Sequence, residues 1–278
     1  MIWDAIRRFL QIRLALVGLV LASFIVVLAV VGPVIVPYHP DEMHPLSRLT
    51  PPCRLFLLGT DNFGRDLLSR VAFGARISLR VGLMSVIVAA SGGTILGLLA
   101  GYFGGLLDGL LTQLMEVLLS FPSLLLALAI MAVLGSNLSN LILAISLVSI
   151  PVFARLVRGE VLLLRERLFV EAARSIGASP LHIIRRHMVP NVLPMIIIQM
   201  TMRLSSAILV ESSLSYLGYG TRPPTASWGR MLSEGRAFFG MAPWMAIWPG
   251  LFVMISQIGF NLLGDGLRDA LDPYLKGR

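Results

Sequence analysis

The stretch Glu171-Ala172-Ala173-Arg174-Ser175-Ile176-Gly177-Ala178-Ser179-Pro180 decides how this chain is read. It lies within a charged segment, Arg155 to Pro190, that is bounded on both sides by long apolar runs. A segment with this density of charge cannot lie in hydrocarbon and must protrude into water. From Arg158 to Ile176 few helix breakers occur, and Val161, Leu164, Leu168, Ala172 and Ile176 form one apolar stripe at helical spacing. Gly177 suits the left-handed residue that ends a helix. Ser179 followed by Pro180 is an N-cap with proline at the first helical position, which predicts a second short helix from about Pro180 to Met188, ended by Pro190. The product is a helix, a tight turn and a helix, a knob shaped for a groove on a partner.

The composition around the knob sets the class. Of 278 residues, 56% are hydrophobic and 14% charged, and the mean hydropathy is +0.83, which describes an integral membrane protein. The net charge of +8 comes from arginines that flank apolar spans without interleaved aromatics, so it reads as membrane topology and not as a nucleic-acid surface. A single cysteine, Cys53, excludes an intrachain disulfide and a cysteine-cluster metal site.

About 20 apolar residues are needed to cross hydrocarbon. The chain offers six such spans, at 14–36, 78–100, 108–134, 137–154, 191–211 and 244–264, the first being too long for the apolar core of a cleaved signal. Segments 1–13, 101–107, 155–190 and 265–278 together hold 13 basic residues, against 8 in segments 37–77 and 212–243. The excess belongs on the cytoplasmic side, which puts both termini and the knob inside. The organisation expected is therefore a cytoplasmic N-terminus (1–13), a first helix (14–36), an outer segment (37–77), a core of five helices (78–264) with a cytoplasmic loop (155–190) and an outer loop (212–243), and a cytoplasmic tail (265–278).

Within the spans, Gly93, Gly97 and Gly101 share one helical face, either for close helix packing or as loosely packed glycine. Pro122 and Pro249 interrupt the third and sixth spans, where kinks or re-satisfied backbone groups are expected. Arg203 is the clearest ionisable residue at membrane depth, with Glu211 two turns on and Gln199, Ser206, Gln257 and Asn261 adding uncharged polarity; these six are the candidates to line a translocation path. A cation there faces a water-filled cavity or a partner, never lipid. Two readings of Arg203 stay open: attraction of a substrate carboxylate, or a structural ion pair or helix–helix hydrogen bond. Asp108 and Glu116 sit at the cytoplasmic interface in the simplest reading.

The knob resembles the EAA loop of permease subunits of binding-protein-dependent ABC importers, whose pattern is Glu-Ala-Ala, three residues, Gly, nine residues, Ile, any residue, Leu-Pro. Glu171, Ala172, Ala173, Gly177 and Pro190 match it, while His187 and Val189 replace its Ile and Leu. Leu58-Gly59-Thr60-Asp61-Asn62-Phe63-Gly64-Arg65-Asp66, Gly74-Ala75-Arg76-Ile77-Ser78-Leu79, Leu217-Gly218-Tyr219-Gly220, Pro223-Pro224-Thr225-Ala226-Ser227-Trp228-Gly229 and the closing run from Asn261 to Pro273 resemble the C-type permease of the dipeptide, oligopeptide and nickel branch. The resemblance implies an all-α polytopic protein of six transmembrane helices with the type I ABC importer permease fold. It also implies a bacterial inner-membrane location among lipid, with a B-type permease as heterodimer partner, two ABC ATPase subunits and an extracytoplasmic substrate-binding protein. Residues Glu171, Ala172, Ala173, Gly177, Ala178, Ser179 and Pro180 would couple the chain to the ATPases, and the 37–77 and 212–243 segments would receive the binding protein.

A phosphate-binding loop requires Gly-Lys followed by Ser or Thr, and Lys276 is the only lysine, so the chain holds no ATP site of that kind and no cofactor of its own; ATP and Mg would be bound by the partners. Enzyme readings fail on missing groups. Gly264-Asp265-Gly266 lacks the glycine that an intramembrane aspartyl protease needs at 262, where Leu262 stands, and His39, His44, His182 and His187 all lie in loops or at their edges. The substrate expected is a di- or oligopeptide. Nickel, a metal chelate or glutathione are alternatives within the family, with His39 and His44 either metal ligands or parts of an exposed turn. A channel or secondary transporter is the alternative of a different class; the internal inverted repeats common in such proteins are not found in the sequence.

Overall fold

The computed structural model describes residues 2–271, and its regular elements are all helical; among the described residues the only strand-like feature is an isolated bridge between Thr60 and Asp66. Twelve α-helices follow in order: α1 (Ile2–Gln11), α2 (Arg13–Val30), α3 (Gly32–Ile35), α4 (Leu67–Phe103), α5 (Gly105–Ser120), α6 (Ser123–Leu134), α7 (Leu138–Arg165), α8 (Leu168–Ser175), α9 (Pro180–Ile183), α10 (Val189–Tyr216), α11 (Trp228–Arg236) and α12 (Trp244–Leu271). A π-turn, Ile184–Met188, joins α9 to α10. Asp272, Pro273 and Lys276, with the rest of the second half of the expected tail, lie outside the described residues.

Five helices are long and apolar enough to cross a membrane, and the spans number six when the α5–α6 pair, bent by 95°, is counted as one. The count agrees with the sequence reading, but the shapes differ in five places. The helix expected over 78–100 begins at Leu67, because Asp66 caps it by accepting the Ser69 N–H at 2.8 Å, and because Arg70 in its first turns is paired with Glu234. The first span is interrupted at Val31, ahead of Gly32-Pro33. The span at 108–134 is broken at Phe121-Pro122, both extended, where the expectation was a kink. The helix expected to run unbroken from Arg158 to Ile176 stops at Arg165, and extended Arg167 starts α8 on a new axis. Pro190 does not end the second knob helix either. The π-turn widens the backbone just before it, so the proline ring finds room and α10 continues through both Pro190 and Pro194. Pro249 likewise stands inside a continuous α12.

In hydrocarbon, helix association rests on close backbone approach more than on hydrophobic drive. The face formed by Gly93, Gly97 and Gly101 packs directly on α7: a methyl group at Gly97 would stand 2.6 Å from the Ala154 carbonyl oxygen and 2.7 Å from Val157 Cβ. This answers the open question about that face in favour of packing. α12 closes on α2 in the same way, with Gly259 against the Ala22 backbone and Gly18 against that of Leu263.

Candidate functional site

The knob is built from α8, a turn and α9. The Gly177 N–H donates to the Arg174 carbonyl at 2.9 Å and the Ala178 N–H to that of Ala173 at 3.0 Å, with Gly177 at φ +79°, the paired bonds of a Schellman ending. Ser179 Oγ accepts the His182 N–H at 3.3 Å and starts α9, with Pro180 in its first turn. Because the helix restarts at Leu168, the apolar stripe read from the sequence divides in two. Val161 stays in the core, whereas Leu168 (81% exposed), Ala172 and Ile176 (85%) face solvent. Val170, Ala173, Ile183 and Met188 seal the underside of the knob, and the Arg174 guanidinium lies 5.4 Å from the Tyr102 ring centroid at the end of α4. Glu171 is exposed beside Ala172, with its own carbonyl accepting the Ser175 hydroxyl at 3.1 Å.

A second feature lies deep in the bundle. Arg203, midway along α10, borders a cavity of ≈ 290 Å³ at the α5–α6 break, shared with Ser206 and Ser149, and an adjoining cavity of ≈ 400 Å³ shared with Gln199 and Arg155. Among the described residues no carboxylate lies within ion-pair distance of Arg203. Glu211 points elsewhere. Fully buried, it accepts hydrogen bonds from Ser78 and Ser215 at 2.7 Å and Ser212 at 3.3 Å, tying α10 to α4.

Two family models match the chain: the binding-protein-dependent transport system inner membrane component over residues 93–277, and the N-terminal TM domain of oligopeptide transport permease C over residues 1–52. The chain belongs to the binding-protein-dependent transport permease family. It is 43% identical to a dipeptide transport system permease protein of Alkalihalophilus pseudofirmus, over 98% of this chain and 90% of that protein. It is 45% identical to a glutathione transport system permease protein of Escherichia coli O1:K1 / APEC, again over 98% and 90%. The fold is shared with solved transporters of low identity. An inward-facing methionine ABC transporter matches with TM-score 0.58 at 18% identity, over 73% of this chain and 97% of that one, and an amino acid ABC transporter with TM-score 0.52 at 18%, over 70% and 91%. The permease is thus a multi-pass inner-membrane subunit of an ABC importer with the type I fold, and not itself an enzyme.

Asn261 Oδ1 accepts the Ser205 hydroxyl at 2.7 Å and so ties α12 to α10, while Gln257 Oε1 is buried without a partner among the described residues. Of the six residues singled out for the path, Gln199, Arg203 and Ser206 border the cavities; Glu211 and Asn261 engage neighbouring helices.

The Leu58–Asp66 motif turns out to be one half of a latch. Asp61 Oδ1 accepts the N–H groups of Phe63 and Arg65 at 2.8 and 2.9 Å, and its Oδ2 accepts the Arg65 Nε at 2.6 Å, with Arg70 Nε 3.6 Å away. Arg65 and Arg70 both reach Glu234 of α11 at 3.3 Å, and Arg230 holds the other Glu234 oxygen at 2.9 Å. Trp228, fully buried, donates its indole N–H to the Val71 carbonyl at 3.0 Å, and Trp244 donates to that of Thr60 at 3.2 Å. Sequence reading recognised the motif but had no means of pairing it with Glu234, a partner far along the chain.

Proposed function

We propose that this permease lines half of the import path for di- and oligopeptides, as one member of a heterodimer with a B-type permease, driven by two ATPase subunits that bind ATP and Mg and fed by an extracytoplasmic binding protein. Both termini and the knob face the cytoplasm, the 37–77 and 212–243 segments face outward toward the binding protein, and the five spans within 78–264 form the core. The observation that carries the coupling assignment is the solvent-facing row Leu168, Ala172 and Ile176 on a knob whose opposite face is sealed. Each large apolar side chain buried in an ATPase groove contributes roughly 1.5–3 kcal/mol, so this row is strong enough to hold a partner. The residues Glu171, Ala172, Ala173, Gly177, Ala178, Ser179 and Pro180 form and support that contact. ATP binding moves the knob and the path opens outward; hydrolysis and product release reset it.

The peptide assignment is supported by the relatives, one named for dipeptides and others for glutathione, itself a small peptide derivative. Glutathione is the second reading on that ground, and nickel the third. The experiment has two arms. Replacing Leu168 and Ile176 by serine is expected to abolish copurification of ATPase subunits while leaving the permease folded, since both side chains are exposed. Uptake of labelled dipeptide, glutathione and nickel, side by side in cells with and without the chain, then identifies the cargo; loss of nickel uptake alone refutes the peptide reading.

A further inference from the structure

Three cavities follow one another along α5, α7 and α10. The first, ≈ 290 Å³, meets Ser149 and Val152 of α7 and Val210 and Arg203 of α10. The second, ≈ 400 Å³, shares Val152 and Arg203 and adds Arg155 and Gln199. The third, ≈ 300 Å³, shares Arg155 and reaches Thr112, Glu116 and Arg158. From the first cavity to the third, residue numbers rise along α7 and fall along α5; along α10, which lines the first two only, they fall from the first to the second. These helices run in opposite senses, so the cavities form one descent toward the knob, roughly 20 Å long from Ile145 to Arg158 at helical rise.

The two boundaries between cavities are marked by arginines: Arg203 between the first and second, Arg155 between the second and third. Their neighbour Arg158 is satisfied, with Nη2 donating to Asp108 Oδ2 at 2.7 Å and Nε to Oδ1. Among the described residues neither Arg155 nor Arg203 has such a partner. Arg155 is exposed, near the cytoplasmic mouth, whereas Arg203 is a guanidinium at membrane depth with no counter-ion among the described residues, which is costly and marks a functional site by default. Its planar fork matches a carboxylate bidentately, which neither an amide nor a metal ion can replace.

We propose that Arg203 and Arg155 are successive carboxylate-holding positions of the translocation path, receiving the C-terminal carboxylate of a peptide first at mid-membrane and then near the cytoplasmic mouth. Gln199, one turn from Arg203 in the shared cavity, offers amide contacts between the two. Glu116 in the third cavity repels the carboxylate and prevents it from resting there. The same cations oppose entry of a naked divalent metal. The inference rests on the peptide reading and assigns to the permease a selectivity of its own, separate from that of the binding protein.

The test is uptake by the complete importer of labelled dialanine and of its C-terminal amide, with glutathione as a further arm, by wild type, Arg203→Gln, Arg203→Lys and Arg155→Gln. The binding protein is identical in all four, so any change in the acid-to-amide ratio originates in the permease, and a ratio is independent of expression level. Arg203→Gln and Arg155→Gln are each expected to lower that ratio about 10-fold or more, the worth of one charge-assisted contact. Arg203→Lys, which keeps the charge, retains most of it and serves if the glutamine variant fails to accumulate. Wild-type uptake with an unchanged ratio in both glutamine variants overturns the inference and leaves the peptide reading standing. Wild type that imports neither dialanine nor glutathione overturns the peptide reading itself, and the inference with it.

Discussion

Replacing Asp61 by asparagine isolates the charge at the centre of the latch. The side chains of Asp61, Arg65 and Arg70 are 2%, 6% and 1% exposed, so the two guanidiniums depend for neutralisation on Asp61 and Glu234, with Asp41 at 3.8 Å from Arg70 as a weaker third partner. Asparagine keeps the oxygen that accepts the Phe63 and Arg65 N–H groups, which preserves the loop backbone, but turns an amide toward the arginines in place of a carboxylate oxygen. Breaking a buried pair costs about 3–5 kcal/mol. Glu234 remains and is itself 21% exposed, which puts the cost here at the lower end, ~3 kcal/mol. That corresponds to roughly a 150-fold rise in the opening of the 37–77 segment. Trypsin reads this directly. Arg48 and Arg54 are exposed and are cut in either form, whereas cleavage after Arg65 and Arg70 requires the latch to open. When opening and closing are fast relative to cleavage, the rate follows the open population. Asp61→Asn is expected to accelerate cleavage after Arg65 and Arg70 by about two orders of magnitude with the Arg48 and Arg54 rates unchanged. Acceleration below about five-fold would refute the view that buried charge holds this segment.

Two further outcomes follow from the backbone. Gly97→Val places its Cβ 2.6 Å from the Ala154 carbonyl oxygen and 2.9 Å from the Arg158 nitrogen, atoms that cannot swing aside, and is expected to cost ~1–3 kcal/mol or more and lower the melting midpoint in detergent by several degrees. Gly109→Ala, with nothing within 4 Å of its new methyl, is the control that stays near wild type. Gly177→Val meets no neighbour but must adopt φ +79°, a penalty of at least about 1–2 kcal/mol confined to the knob turn. ATP hydrolysis should continue while uptake falls, and full uptake with normal substrate-stimulated hydrolysis would contradict the coupling role of that turn.

Local chemistry was legible where one residue type decides a conformation. Gly177 has the left-handed φ its position demanded, Ser179 caps α9, and the apolar runs give the number of spans. What escaped depended on distant partners. Nothing between Glu166 and Arg167 announces a helix break; the break follows from burying Val170 and Ala173 beneath the knob. The early start of α4 is invisible until Arg70 is seen against Glu234. Arg203 and Glu211 looked like neighbours in sequence, yet two turns and a fraction rotate one about 80° from the other, so the arginine turns to the α7 cavities and the glutamate to Ser78 of α4. Arg155 reads from the sequence only as the start of the charged loop, because counting apolar residues ends the span just before it.

The π-turn has a mechanical meaning. From Pro180 to Tyr216 the chain is one uninterrupted rod, with the knob's second helix at its foot and Arg203 roughly 35 Å higher up. A stiff rod cannot shift at one end alone. Whatever displaces Pro180 swings Arg203 through the cavities as well, unless the wide turn at Ile184–Met188 bends and absorbs the stroke. If the knob is driven by an ATPase and Arg203 lines the path, as proposed, those five residues are the gearing between the pull of the motor and the place where cargo passes.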